Sequence, residues 1–118
     1  MSKKIYNLLI RDYFIINKRA GRIEYISRFI FMIFICLVFE ILYTNKVNTL
    51  ITGFFIGPIV MLSIIQTFLV THRRLHDLNC SGLWQLISFV PFGQLLILWL
   101  MFKKGTNGVN DYGEPPEY

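Results

Sequence analysis

The chain of 118 residues is long enough for one domain; with 54% hydrophobic residues, 16% charged residues and a mean hydropathy of +0.51, it is too apolar for a soluble domain of its size, where about 25% of residues are charged. Its net charge of +5 is lopsided: residues 1–28 hold seven Lys or Arg against Asp12 and Glu24, whereas the tail from Lys103 holds two Lys against Asp111, Glu114 and Glu117. A basic end beside an apolar body points to anionic lipid headgroups and away from nucleic acid.

In residues 1–25, Lys4, Asn7, Arg11, Lys18 and Arg22 are spaced 3, 4, 7 and 4 apart, which puts them on one helical face. This spacing predicts an amphipathic helix lying on the membrane, ended near Gly21; a basic leader that orients insertion is the alternative. No cleavable signal is expected, because the first apolar run starts only at Ile26 and no small-residue cleavage pattern follows it.

Three apolar stretches follow: Ile26 to Tyr43, Leu50 to Val70 and Leu83 to Phe102. As helices they would measure roughly 27, 31 and 30 Å against a hydrocarbon core of about 30 Å. The expectation is a single all-α membrane domain over residues 1–118, with three transmembrane helices behind an interfacial helix. In the first stretch Glu40 stands alone among apolar neighbours, and a carboxylate at mid-span costs about 2.5–3.5 kcal/mol on insertion scales. It is read as reaching the headgroups beside Lys46 or, alternatively, as a functional carboxylate within a bundle. The short link Thr44 to Thr49 makes the first two spans antiparallel neighbours.

The second stretch carries no charge. Gly53 and Gly57 have the spacing that lets two helices approach closely, and simple tolerance of glycine in lipid competes with that reading. Ser63, Gln66 and Thr67 are expected to make interhelical hydrogen bonds. The third stretch is interrupted by Pro91, Phe92 and Gly93, which predicts a kink, and Trp84 and Trp99 near its ends suit an aromatic belt. Beyond it, residues 103–118 read as an ordered turn and a loose polar tail. Cys36 and Cys80 lie in such different surroundings that both are expected to be free thiols.

The densest chemistry lies between the second and third stretches, in Thr71-His72-Arg73-Arg74-Leu75-His76-Asp77-Leu78-Asn79-Cys80-Ser81-Gly82. Ser81 is a candidate N-cap. Arg73 and Arg74 could bind lipid phosphates through their guanidinium forks, with Asp77 pairing one of them. His72 and His76 share a helical face with Asp77 and Cys80 close behind, so a zinc site is conceivable; two adjacent arginines and the lack of a second ligand pair weigh against it. Cys80 or Ser81 with His76 has the residue types for nucleophilic catalysis but no third group.

Three full spans with a cytoplasmic N-terminus put nine Lys or Arg inside and three outside, which satisfies the positive-inside rule. Lys103 and Lys104 would then abut the outer face. A re-entrant hairpin turning at Pro91 to Gly93 changes the count to eleven inside and one outside; both arrangements stay open at this point.

The run Arg73-Arg74-Leu75-His76-Asp77, then Ser81-Gly82-Leu83-Trp84, Val90-Pro91 with Gly93, and Gly105-Thr106-Asn107-Gly108-Val109-Asn110-Asp111-Tyr112-Gly113 resembles the domain-of-unknown-function 805 family of small bacterial inner-membrane proteins. Gly21-Arg22-Ile23 resembles that family's N-terminal Gly-Arg element. The chain departs from the pattern at Glu24-Tyr25, where the family continues with Ser-Arg, and at Leu83, where it carries an aromatic. The resemblance implies a multi-span inner-membrane protein with no known activity, in which His72 is incidental.

The functional expectation is a non-enzymatic membrane protein without cofactor or metal. Its Arg22, Arg28, Arg73, Arg74, His76 and Asp77 would form a cytoplasmic-face cluster for anionic phospholipid or a membrane-protein partner, including a second copy. Ser81, Gly82, Pro91, Gly93, Gly105, Asn110, Tyr112 and Gly113 would be structural. The rivals are a small oligomeric transporter or accessory with Glu40, Gln66, Gln85 and Gln94 along a polar path, and a metalloprotein using His72, His76 and Cys80.

Overall fold

In the computed structural model, residues 3–6 and 16–116 are described. Helix α1, Lys3–Tyr6, is a single turn. The middle of the expected interfacial helix, residues 7–15, lies outside the described set. Residues 16–21 are not helical, so no helix runs on to Gly21.

Helix α2 spans Arg22–Thr44 and α3 spans Thr49–Asp77. Gly21 enters α2 in an extended conformation (φ −74°, ψ 168°), and Glu24 in the first turn favours the positive end of the helix dipole. Arg22 to Arg28 therefore form the first two turns of α2. At the far end Thr44 Oγ1 donates to the Glu40 carbonyl at 2.8 Å and Asn45 Nδ2 to the Ile41 carbonyl at 2.7 Å, adding side-chain bonds to the backbone bonds of the last turn. Lys46 turns the chain in the left-handed region (φ 54°), and Asn48 caps α3 by accepting from Ile51 N at 3.3 Å.

The two helices pack antiparallel, as the short link predicts. Pro58 lies inside α3 without ending it. Ser63 and Thr67 hydrogen-bond to Val60 and Ser63 carbonyls of their own helix, so the interhelical bonds expected of these two are not formed. Gly53 and Gly57 have nothing within 4 Å of an added Cβ; they play no part in packing within the chain.

At about 43 Å, the 29 residues of α3 are longer than the hydrocarbon core is thick, and its charged residues Arg73, Arg74 and Asp77 are confined to its last turns. There the chain closes in a Schellman arrangement: Asn79 N donates to the His76 carbonyl at 3.0 Å and Cys80 N to the Leu75 carbonyl at 2.9 Å. Asn79 takes the left-handed position (φ 58°), which asparagine tolerates better than other residues with a Cβ.

The third apolar stretch is not one helix. Ser81 Oγ accepts from Leu83 N at 3.3 Å and starts a 3₁₀ helix over Gly82–Phe89, followed by a turn and helix α4, Gln94–Phe102. Val90, held extended (φ −93°, ψ 156°) ahead of Pro91, reverses the chain, with Phe92 in the left-handed region (φ 66°). Eight residues of 3₁₀ helix and nine of α-helix measure about 16 and 14 Å, so neither arm crosses a bilayer and the two are matched in length. Both outer ends reach α3's C-terminus: the Leu100 and Lys103 carbonyls accept from Arg74, and a Cβ on Gly82 would meet the His72 ring at 2.0 Å. The break is thus a reversal at Pro91 to Gly93, and not the simple kink that was one of the two arrangements open from the sequence.

A Cβ on Gly93 would lie 1.7 Å from the Ile87 carbonyl oxygen and 2.6 Å from its carbon. Backbone cannot swing aside as a side chain can. Gly93→Ala is expected to lower stability by about 1–3 kcal/mol, whereas Gly53→Ala at an open helical position should be neutral or stabilising by up to about 1 kcal/mol. Thermal unfolding of the detergent-solubilised protein measures both.

The large apolar side chains of α2 and α3 mostly face outward: Phe31, Phe34, Leu37, Leu50, Phe54 and Phe55 are all exposed. The buried interior, by contrast, is rich in charge. That inversion suits a chain whose surroundings are acyl chains.

Candidate functional site

Where the outer ends of α2, α3 and the hairpin meet, Arg19, Glu24, Arg28, Arg73, Arg74, His76 and Asp77 are all buried. A buried ion is tolerated only when paired and hydrogen-bonded. The guanidinium groups of Arg19, Arg73 and Arg74 meet that demand through two carboxylates and a ring of carbonyls.

Arg73 forks onto Glu24, with Nη1 to Oε1 at 2.7 Å and Nη2 to Oε2 at 3.2 Å. The bidentate geometry ties α3 to the first turn of α2. Asp77 lies between two other arginines. Its Oδ1 accepts from Arg19 Nε at 3.0 Å, and its Oδ2 accepts from Arg74 Nη1. Arg74 spends its other donors on three carbonyls: Nε on Leu100 at 2.9 Å, Nη1 on Ala20 at 3.3 Å and Nη2 on Lys103. One guanidinium thereby joins the approach to α2, the end of α3 and the exit of α4.

Arg19 performs the same service for the tail. Its Nη1 donates to the Gly108 carbonyl and, at 3.2 Å, to that of Gly113; its Nη2 donates to that of Thr106. Thr106 N returns a bond to the Asp77 carbonyl at 2.8 Å, and Ala20 N donates to the Arg73 carbonyl at 3.1 Å. Gly105 is required here, since its Cβ would fall 2.0 Å from an Asp77 oxygen already fixed by Arg74.

Beyond Gly105 the tail is laid down by side chains. Asn110 Nδ2 donates to the His76 carbonyl at 2.9 Å while its Oδ1 accepts from Tyr112 N at 2.8 Å. Asp111 N donates to Asn79 Oδ1 at 3.1 Å. The turn closes with reciprocal backbone bonds between Asn110 and Gly113 at 3.1 and 3.0 Å, Gly113 adopting φ 108°. The Tyr112 ring lies flat on His76, 4.0 Å between centroids and 6° between planes. The segments grouped by motif alone are therefore parts of one assembly, and residues 105–113 are an ordered strap.

Of the six residues expected to face lipid or a partner, Arg22 alone is exposed. Arg28, Arg73, Arg74, His76 and Asp77 are turned inward, and the forks of Arg73 and Arg74 are occupied by Glu24, Asp77 and carbonyls. The phosphate contact expected of those two forks is replaced by an internal one. Lys103 and Lys104 are exposed beside the cluster.

Arg19 and Glu24 are the members that residue patterns did not single out. A signal for Glu24 existed: two adjacent arginines at the end of a span require two carboxylates, the local motif supplies only Asp77, and Glu24 is the acid next to the first span. Arg19 had no comparable signal among seven N-terminal cations.

The rival constellations are not brought together. Gln66 and Gln85 are buried whereas Glu40 and Gln94 are exposed, Glu40 in the last turns of α2 and Gln94 at the tip of the hairpin. Gln85 instead lines a cavity of about 230 Å³ with Phe29, Thr67, Thr71 and Ser88. His72 and His76 meet edge to face at 4.4 Å, while Cys80 points its thiol toward the Leu78 carbonyl at 3.6 Å. Among the described residues no three His, Cys, Asp or Glu are grouped to hold a metal.

A family model described as a protein of unknown function, DUF805, matches residues 13–114. Inner membrane protein YhaI of Escherichia coli (strain K12) is 36% identical over 118 residues, covering 96% of this chain and 95% of the relative. Inner membrane protein YhaH of the same strain is 41% identical over 49 residues, 41% of this chain and 40% of that relative. No solved structure matches the chain.

Proposed function

The chain belongs to the DUF805 family, and on that footing we propose that it is a non-enzymatic inner-membrane protein with two spans, a re-entrant hairpin and both ends in the cytoplasm, whose basic face holds anionic phospholipid. The observation that carries the reading is the Arg74 guanidinium, which bonds Ala20, Asp77, Leu100 and Lys103 at once. Groups held by one side chain lie at one depth, so the N-terminal approach, the hairpin's exit and the tail share one side of the membrane.

This arrangement leaves only Lys46 of twelve Lys and Arg on the outer side, the distribution that the positive-inside rule favours. The buried arginines act as scaffold, and the exposed Arg22, Lys103 and Lys104 are the cations offered to headgroups. Each contributes about 1 kcal/mol near an anionic surface. The hairpin tip is compatible with depth in the bilayer: Val90 N and Gly93 N donate to Ile87 and Val90 carbonyls at 3.1 and 3.0 Å, and Pro91 has no donor to satisfy.

A reporter fused after Tyr118 is expected to behave as cytoplasmic and one inserted at Asn45 as extracytoplasmic; an extracytoplasmic Tyr118 fusion overturns the topology. Replacing Arg22, Lys103 and Lys104 together with Gln is expected to strip at least about tenfold of the anionic phospholipid that co-purifies while leaving the unfolding midpoint near that of the parent. Undiminished retention overturns the lipid role.

A further inference from the structure

We propose that the groove between the two hairpin arms is an acyl-chain site for one anionic phospholipid, whose phosphate is held by Lys103. This rests on the membrane-face reading above and gives it a defined seat. The groove, about 300 Å³, is lined by Leu75, Cys80, Trp84, Ile87, Leu96 and Trp99, a volume at the lower end for small-molecule sites. Its walls come from three elements, α3, the 3₁₀ helix and α4.

Depth orders these residues. Leu75 and Cys80 belong to the closing turn of α3, at the level of the charge cluster, whereas Ile87 and Leu96 approach the hairpin tip. The groove thus runs from the interface into the apolar region. At its outer end Lys103 places Nζ 6.0 Å from the centroid of the Trp99 ring, and the lysine is exposed. An apolar slot headed by a cation has the chemistry of an acyl chain ending in a phosphate.

Trp84 and Trp99 take a different place from the one their positions predict. Expected at opposite ends of a span, they line one groove at one interface, which is the depth where indole is most at ease. A zwitterionic lipid offers the same chains, but its own ammonium group offsets the phosphate, so Lys103 selects for net negative charge. A neighbouring protein helix would need a far longer trough than arms of about 14–16 Å provide.

The chain has two tryptophans and both line the groove, so the saturable part of their quenching reports its occupancy above the non-saturable quenching by surrounding lipid. Full-length protein is reconstituted in phosphatidylcholine vesicles containing a small fraction of either brominated phosphatidylglycerol or brominated phosphatidylcholine. Quenching by the phosphatidylglycerol is expected to be saturable, with about fivefold higher apparent affinity than for the phosphatidylcholine. Lys103→Gln is expected to bring that ratio to about one, and Leu96→Phe, which fills the groove, to reduce quenching by both lipids; elution as a single species verifies folding of each variant. Equal quenching by the two lipids, or a preference that survives Lys103→Gln, overturns the site. Should total anionic lipid still co-purify in that case, the groove assignment alone fails; should it not, the basic-face reading fails with it.

Discussion

Asp77→Ala is expected to cost about 3–5 kcal/mol, the penalty for removing one partner of a buried ion pair. That is a large share of the roughly 5–15 kcal/mol that holds a typical domain together. The reason is specific to the site: one carboxylate serves both Arg19 and Arg74, so its loss strands two buried guanidinium groups. Neither has water to turn to, since side-chain exposure is 0% for Arg19 and 1% for Arg74. The four segments they hold would separate at the face where the hairpin returns. The expected measurement is a fall in the thermal unfolding midpoint on the order of 10 °C with broadened elution in detergent. Asp77→Asn keeps the shape and one acceptor and should fall between the two. Asp111, whose backbone N bonds Asn79 and which is itself exposed, is the control: Asp111→Ala should change stability by no more than about 0.5 kcal/mol. A stable, monodisperse Asp77→Ala protein would show that the cluster does not organise the fold.

How much of this was legible in the residues follows from the range of the forces involved. The two long helices were, because a run of about twenty apolar residues has one stable form in lipid. Pro91 and Gly93 announced a break as well, but kink and reversal differ only in where Lys103 ends up, and that is fixed by Arg74 29 residues earlier. Arg73 and Arg74 were recognisable as the chemical centre, yet their direction was misread. An arginine facing a phosphate and one facing a glutamate look alike until the glutamate is found, and Glu24 is 49 residues away. The Arg19 to Asp77 bond spans 58 residues and leaves no periodic trace. The turn within the strap has a local signal in its glycines and asparagines; that the strap lies against His76 and Asp77 was invisible because those contacts are not local.

The inward arginines also account for part of the positive charge gathered at this end of the molecule. Arg19, Arg73 and Arg74 are consumed in joining segments, and the exposed Arg22, Lys103 and Lys104 remain for the outside. Arginine suits the first task because its planar fork stays charged and serves several acceptors at once, and lysine suits the second as a flexible, strongly hydrated point charge. The joining residues are all arginine and both exposed lysines follow α4, with Arg22 the one arginine named here that stays exposed.

A double-mutant cycle on Glu24 and Arg73 is expected to reveal a strongly coupled pair. The two sit where helix dipoles help both charges: Glu24 in the first turn of α2, and Arg73 one residue ahead of the last turn of α3, the ends that favour an anion and a cation respectively. Packing antiparallel brings those ends together, and the fork at 2.7 and 3.2 Å fixes their register. Arg73→Met leaves the buried Glu24 carboxylate without its fork, and Glu24→Gln leaves the Arg73 charge without a counter-ion; each is expected to cost about 3–5 kcal/mol. The double variant Glu24→Gln with Arg73→Met buries no net charge, so its cost should fall short of the sum by about 0.5–3 kcal/mol. Unfolding midpoints of the four proteins in one detergent supply the cycle. Strict additivity would mean that the two charges are stabilised independently by other neighbours, and that the contact between α2 and α3 owes its register to apolar packing alone.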